Sequence, residues 1–224
     1  MSVEREDRVL RRFLWCIPLY VAVPVVIGWA FTASGCAIDW KGFAWGAAGW
    51  WVALLLRAPF ALLAKRLTEA SGKTLIVSMS GPLEELVRLS VLWMTQRTFA
   101  WAASVGQGWA AIEVLFAIVN GLVLASLLKR NDEKAQQVRE VLAAQGHNES
   151  SPVWGIVERF FASAFHIGAT LLTAAHFGWV LLLIPLHSAL NLGVLRLTRS
   201  SMPVGQLLLA IIGSLTLLAG LLVH

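Results

Sequence analysis

The sequence contains few charged residues. Only 14% of its 224 residues are Asp, Glu, Lys or Arg, whereas 58% are hydrophobic. An ordinary soluble domain carries about a quarter charged residues. The shortage of charge excludes a soluble globular domain and predicts a protein that crosses the membrane several times. The apolar runs are long and continuous rather than alternating, so the spans are expected to be helices and not the strands of a barrel.

Cysteine is also scarce: the sequence contains two, Cys16 and Cys36. Cys16 falls inside the first apolar run, so no disulfide is expected, and the spacing of the pair does not fit a metal site. The N-terminal segment is polar and no small-residue cleavage site follows the first apolar run, so no cleavable signal peptide is expected. A net charge of +5 would suggest nucleic acid in a soluble protein. Here it agrees with the positive-inside rule, and no nucleic-acid partner is expected.

Apolar segments of about 20 residues predict seven spans. Their approximate ranges are 13–33, 43–64, 75–95, 98–128, 153–175, 178–196 and 204–223. The fifth and sixth are separated only by His176 and Phe177 and should form a tight hairpin, with His176 capping the turn. Residues 1–224 are thus predicted to form one all-α domain, a polytopic membrane helix bundle of about seven transmembrane helices, with a site-bearing core over residues 75–196.

Basic residues outside the spans are distributed unevenly between the two sides. The side of the N-terminus would hold Arg5, Arg8, Arg11, Arg12, Lys65, Arg66, Lys73, Lys129, Arg130, Lys134, Arg139, Arg196 and Arg199, and the opposite side would hold Lys41 and Arg97. This bias predicts a cytoplasmic N-terminus. Segment 129–152 is then a cytoplasmic loop, in which His147 is interpreted as a solvated surface residue. We expect an integral protein of a prokaryotic cytoplasmic membrane.

Ionisable side chains inside four consecutive predicted spans need an explanation, since each costs roughly 2.5–3.5 kcal/mol near the bilayer centre. Span three carries Glu84, Glu85 and Arg88, span four Glu113, span five Glu158, Arg159 and His166, and span six His187 together with Asn191. Because these groups are divided among neighbouring spans and no single span holds them all, they indicate one shared interior site.

Helical spacing refines this prediction. Arg88 lies three and four residues after the two glutamates of its own span and can reach either of them, while His187 and Asn191 share a face. The Glu158–Arg159 pair is interpreted with equal weight as a structural ion pair or as part of the site. Arg57 is interpreted as structural or as snorkelling toward the interface. Pro82 predicts a kink that opens span three toward its neighbours.

Two imidazoles and several carboxylates in a sheltered interior match a site for zinc or another divalent metal. A carboxylate that does not bind the metal could accept a proton from water, and Arg88 would keep its partner carboxylate ionised. A metal-free site is also consistent with the residues. In it a Glu and a His activate water directly, while His187 and Asn191 donate to an oxyanion. The spacing alone does not choose between these two alternatives.

The motifs EELVR, GQGWAAIE, ERFFASAFH and HSALN occur in this order in spans three to six. They resemble those of the YhfC-type intramembrane metalloproteases, relatives of the PrsW proteases and of the CAAX-endopeptidase and bacteriocin-immunity superfamily. The resemblance implies a catalytic set with Glu84 as water activator and a metal-ligand set. The catalytic set is Glu84, Glu85, Arg88 and Asn191, and the metal ligands are Glu113, His166 and His187.

The chain departs from the CAAX endopeptidases in two places. Its Arg88 lies one residue closer to the glutamate pair than their arginine, and Glu113 stands where they have a Phe-x-x-x-His pattern. Prenylated CAAX substrates are therefore not implied.

The function expected from these observations is hydrolysis of a peptide bond in a membrane-tethered substrate, either a membrane protein or a lipidated peptide. One alternative is a non-catalytic immunity or assembly protein on the same fold. A second alternative is a proton or metal transporter, because chains of carboxylates and histidines also form ion relays. The outer halves of spans three and six contain few polar residues, which counts against a transporter.

Overall fold

A computed structural model of the chain describes residues 3–128, 130, 132–133, 135–136 and 152–224. Within these ranges the protein is all-helical, as predicted. The helices are α1 Val3–Ala33, α2 Trp40–Leu55, α3 Ala58–Ala64, α4 Glu69–Ser78, α5 Ser80–Met94, α6 Phe99–Leu128, α7 Pro152–Ala175, α8 Val180–Ser200 and α9 Met202–Leu222. Most of the predicted loop 129–152 lies outside the described residues, and so does His147.

Five segments of the described chain are long and apolar enough to cross a membrane. They are Arg11–Ala33, Trp40–Ala64, Phe99–Leu127, Phe177–Ser200 and Met202–Leu222. The predicted spans 75–95 and 153–175 are not among them, and these two spans carry most of the ionisable residues that lower the hydropathy. Helix α5 has 15 residues and is about 22 Å long, which is short for a hydrocarbon core of about 30 Å.

Helix α7 lies at the centre of the bundle. It packs against α1, α5, α6 and α9, and every residue from Ser163 to Ala174 is buried. A helix that is buried on all sides does not need an apolar surface facing lipid, so it tolerates more polar residues than its neighbours. This position explains why α7 can carry His166, whereas Glu158 and Arg159 lie in the partly buried N-terminal part of the helix.

Proline ends the helix in two predicted spans. Pro82 was expected to kink span three, but the structure goes further, since α4 ends at Ser78 and α5 begins at Ser80. A proline has no N–H for the carbonyl four residues earlier, and its ring collides with that carbonyl. The carbonyl of Ser78 instead accepts a hydrogen bond of 2.7 Å from the hydroxyl of Ser188 in α8. The break therefore ties the end of α4 to α8.

The second break divides the predicted span 43–64 between α2 and α3. Pro59 lies in the first turn of α3, and Arg57 is the residue that precedes this helix. Since α2 ends at Leu55, Arg57 lies in the short break between the two helices. Its guanidinium group contacts Glu84 of α5.

Two close helix contacts set the distances across the bundle. A methyl group added at Gly46 of α2 would overlap the carbonyl of Val105 in α6, and one added at Gly108 of α6 would overlap the carbonyl of Phe43 in α2. Glycine is needed at both positions because the two backbones touch. This contact holds α6 in the place from which Trp109 reaches the interior.

The short connection predicted between the fifth and sixth spans is confirmed. Helix α7 ends at Ala175 and α8 begins at Val180, with a short 3-10 turn over Phe177–Trp179. His176 caps this turn, as predicted, because its Nδ1 accepts the N–H of Gly178 at 3.0 Å.

Candidate functional site

The ionisable residues of four predicted spans meet in the interior, between α5, α6, α7 and α8. Glu84, Glu85, Arg88, His166 and His187 are all at most 4% exposed. Burying a charge is costly unless it is paired and hydrogen-bonded. The contacts described below therefore account for how each group is stabilised in this interior.

Glu85 is the buried partner of two side chains. Its Oε2 accepts a hydrogen bond from Nη1 of Arg88, three residues later on the same helix face. Its Oε1 lies 2.7 Å from Nδ1 of His187 in α8. A carboxylate accepts and does not donate, so Nδ1 of His187 carries the hydrogen. In the neutral ring, the lone pair of His187 is then on Nε2, which has no hydrogen-bond partner within the described chain.

His166 of α7 is held between a cation and an anion. Its Nδ1 lies 2.9 Å from Nη2 of Arg88, and its Nε2 lies 2.7 Å from Oε2 of Glu113 in α6. Arginine has donors but no acceptor, so Nδ1 must accept, and Nε2 carries the hydrogen and donates to Glu113. These contacts establish the tautomer of the ring and its orientation.

Glu113 extends the network toward the N-terminal end of α7. Its Oε1 accepts a hydrogen bond of 2.7 Å from Nη1 of Arg159, and Nη2 of Arg159 contacts Glu158. The predicted Glu158–Arg159 pair is therefore present, and it is joined through Glu113 to His166. The side chain of Glu158 is 37% exposed, so this branch of the network ends near the surface.

Glu84 has different partners from those of its neighbour Glu85. Its Oε1 contacts Nη2 of Arg57, and its Oε2 accepts a hydrogen bond of 3.1 Å from the indole N–H of Trp109. The same Oε2 lies 3.9 Å from Nδ1 of His166. Glu84 is thus oriented by two donors, and one of its oxygens points toward the two histidines.

Glu84, His166 and His187 form a buried group that could hold a metal ion. Each offers one ligand atom, and the three atoms all lie within 4.8 Å of one another. The donor set of two imidazoles and one carboxylate is one that zinc uses in catalytic sites. Each histidine also donates its other N–H to a carboxylate, His166 to Glu113 and His187 to Glu85, as metal-binding histidines almost always do. On these grounds the residues fit a divalent cation.

A cavity of about 350 Å³ adjoins this group. Its polar wall includes Arg57, Glu84, Glu158, His187 and Asn191, and its apolar wall comes mainly from α4, α7, α8 and the start of α9. The amide of Asn191 donates a hydrogen bond of 2.7 Å to Oγ of Ser80. A polar and roomy cavity of this size can hold water and a small part of a substrate.

The structure brings every predicted site residue into one region. Arg88 reaches Glu85 of the two possible glutamates, and Glu84 is paired with Arg57 instead. Within the described residues, the possible metal group contains Glu84 and omits Glu113, although the family resemblance had implied the opposite roles for these two.

Two residues of the site were not selected from the sequence. Arg57 does not snorkel outward, because its guanidinium group contacts Glu84. Trp109 is fully buried, donates to Glu84, and lies with its ring 4.7 Å from the guanidinium carbon of Arg88. The usable signals were an arginine two residues before a proline inside an apolar run, and a tryptophan far from the end of its span.

No family model, curated protein or solved structure matches the chain. The family resemblance therefore stays a prediction, and the geometry of the site is the observation that bears on function.

Proposed function

We propose that the chain is an intramembrane hydrolase that cleaves a peptide bond of a membrane-tethered substrate with the help of a divalent cation. The observation that carries this proposal is the buried group of Glu84, His166 and His187, with ligand atoms within 4.8 Å of one another beside a cavity of about 350 Å³. Zinc is the ordinary cation for this donor set. A bound zinc ion would activate a water molecule and polarise a carbonyl group.

The proposal includes the membrane topology and the family. Helices α4–α5 and α7 would complete seven spans, with the N-terminus in the cytoplasm, because basic residues outside the spans are concentrated on that side. The order of the site residues along α5, α6, α7 and α8 is that of the motifs that resemble YhfC-type metalloproteases. The membrane would be the cytoplasmic membrane of a prokaryote.

The residues of the chain would have distinct tasks in hydrolysis. We assign Glu84 Oε2, His166 Nδ1 and His187 Nε2 as the cation ligands, and Glu113 and Glu85 as the carboxylates that orient the two rings. Arg57 and Trp109 hold Glu84 in place. The amide of Asn191, on the wall of the cavity, is positioned to donate to the carbonyl oxygen of a substrate as negative charge develops there. In a cation-free site, Glu84 would instead accept the proton of the attacking water.

Metal analysis tests the cation assignment without knowledge of the substrate. Purified wild-type protein in detergent, exposed to zinc and then desalted, is expected to retain about one zinc ion per chain. The variants Glu84→Gln, His166→Ala and His187→Ala are expected to retain far less. Matched controls are His176→Ala, which removes the turn cap, and Glu69→Gln on the exposed face of α4. Equal zinc content in all variants would contradict the assignment.

Cleavage is tested by sequencing new N-termini in membranes from cells that produce wild-type, Glu84→Gln or His187→Ala protein. New N-termini from membrane proteins are expected only with the wild type. Undiminished cleavage by both variants would refute the proposed protease, and a phenotype that survives in both variants without cleavage would favour an immunity or assembly protein.

The hydroxyl groups on the far half of α7 count against a transporter. Thr170 and Thr173 are fully buried and donate to the carbonyls of His166 and Ala169 in their own helix. Because these donors are used within α7, they do not continue the polar cluster toward the other end of the bundle. Zinc uptake into proteoliposomes would be the observation in favour of transport.

A further inference from the structure

Arg88 lies at the centre of the site with no exposed side-chain surface. One nitrogen of its guanidinium group contacts Glu85, and another lies 2.9 Å from Nδ1 of His166. The ring of Trp109 lies 4.7 Å from the guanidinium carbon. The positive charge of Arg88 therefore occupies the position next to the atoms assigned as cation ligands.

The contact with His166 uses a particular lone pair. Nε2 of His166 carries a hydrogen that is donated to Glu113, so Nδ1 has the only lone pair in the plane of the ring. Arg88 donates a hydrogen bond to this lone pair. A metal ion bound at Nδ1 would need the same lone pair, and the two cannot use it at once.

We propose that Arg88 is a resident cation that competes with the divalent cation for Nδ1 of His166. This inference rests on the proposed function, since it concerns the same site. In the cation-free state, Arg88 occupies Nδ1 of His166 and stays paired with Glu85. When the divalent cation binds, Arg88 leaves Nδ1 and keeps its contact with Glu85.

The competition would select among cations. An ion must bind imidazole strongly enough to replace the hydrogen bond from Arg88. Zinc does so, whereas magnesium prefers oxygen ligands and binds imidazole weakly. Arg88 would thus exclude magnesium from a site that contains three nearby carboxylates, Glu84, Glu85 and Glu113.

Arg57 is the natural comparison because it is also an arginine in contact with a proposed ligand. It contacts Oε1 of Glu84, whereas Oε2 is the oxygen that lies 3.9 Å from His166. The oxygen that faces the metal position is therefore left free by Arg57. Arg57 supports the ligand, and Arg88 blocks one, so loss of the two arginines should have opposite effects on cation affinity.

The experiment measures zinc affinity by competition with a chromogenic chelator, using the full chain in detergent. Arg88→Gln and Arg88→Lys are expected to bind zinc about 10- to 100-fold more tightly than wild type. This factor is the free energy of a hydrogen bond with a charged group, converted to a ratio of dissociation constants. Lysine keeps the charge but lacks the fork that bridges Glu85 and His166. The Arg88→Lys variant therefore separates competition for the lone pair of His166 Nδ1 from repulsion between the side-chain charge and the zinc ion. Arg57→Gln is expected to bind zinc no more tightly than wild type.

Equal or weaker zinc affinity in both folded Arg88 variants would overturn the inference. If they do not fold, the side-chain nitrogen signals of arginine in the isotope-labelled wild type provide a second measurement. Zinc is expected to shift the Arg88 signals much more than those of Arg97. Unchanged Arg88 signals in zinc-saturated protein would also overturn the inference.

These outcomes separate the inference from the proposed function. Zinc binding that requires His166 but is not improved in the Arg88 variants would refute only the competition. Zinc binding that is absent from the wild type but present in Arg88→Gln would support it. No zinc binding by any variant would refute both the cation site and the competition.

Discussion

Replacement of Glu85 by glutamine tests how much the buried ion pair of Glu85 and Arg88 contributes to the free energy of unfolding. Glu85 and Arg88 both have fully buried side chains, and the other hydrogen-bond partner of Arg88, His166, is an uncharged acceptor. Glu85→Gln would leave the guanidinium group without an anionic partner. One amide oxygen would also have to serve two donors, Arg88 and His187.

The expected loss of stability is about 3–5 kcal/mol, the usual cost of removing one member of a buried pair. Glu158→Gln is the matched control, because the same substitution is made beside another arginine. The side chain of Glu158 is 37% exposed, and Arg159 keeps Glu113 at 2.7 Å. The control should therefore cost about 1 kcal/mol or less.

The assay is reversible unfolding in mixed micelles by increasing fractions of a denaturing detergent, followed by the fluorescence of the eleven tryptophans. The double variant Glu85→Gln/Arg88→Met should be more stable than Glu85→Gln alone, because the uncompensated charge is gone. A Glu85→Gln protein within about 1 kcal/mol of wild type, or one more stable than Glu158→Gln, would refute the reasoning.

Three further substitutions test the geometry of the site. Gly81→Ala should lower zinc content, because the new methyl group would overlap Ser188 and push α5 away from α8; Gly193→Ala meets only the end of a leucine side chain and should leave zinc content near wild type. Trp109→Phe removes the indole donor to Oε2 of Glu84 and should weaken zinc binding about tenfold in a chelator competition, whereas an unchanged affinity would contradict the positioning role. Asn191→Ala should lower kcat with little change in zinc content, and loss of zinc would show a structural role instead.

Much of the arrangement within each helix follows from spacing. Residues three or four apart share a helix face, so Arg88 necessarily lies near both glutamates of its helix. The turn at His176 follows from the short interval between two apolar runs, and Pro82 marks a position where a helix cannot continue. These features depend on covalent connectivity and on local backbone geometry, which a sequence carries directly.

Which residues of two different helices become partners depends on the rotation of each helix about its axis and on its depth in the bundle. The spacing of residues along the sequence leaves both of these open. Arg57 lies in the break between α2 and α3 and contacts Glu84 of α5, a pairing that spacing within one helix does not reveal. The same uncertainty affected Glu84 and Glu113, since both are carboxylates on helices that follow one another in the chain. The crossing of α5 with α8 places Glu84 beside both histidines, while Glu113 lies on the other side of His166 next to Arg159.

The pattern of amino acids alone predicts a helical bundle with long apolar segments, in which a small set of glutamates, histidines and arginines needs a shared interior. The reason is that apolar length and helical period are local properties. The fold in three dimensions is what places α7 at the centre, pairs Arg57 with Glu84 and Arg88 with Glu85, and brings Glu84 to His166 and His187. Those outcomes depend on how helices far apart in the chain pack, and in this bundle the close contacts at Gly46, Gly81 and Gly108 set that packing.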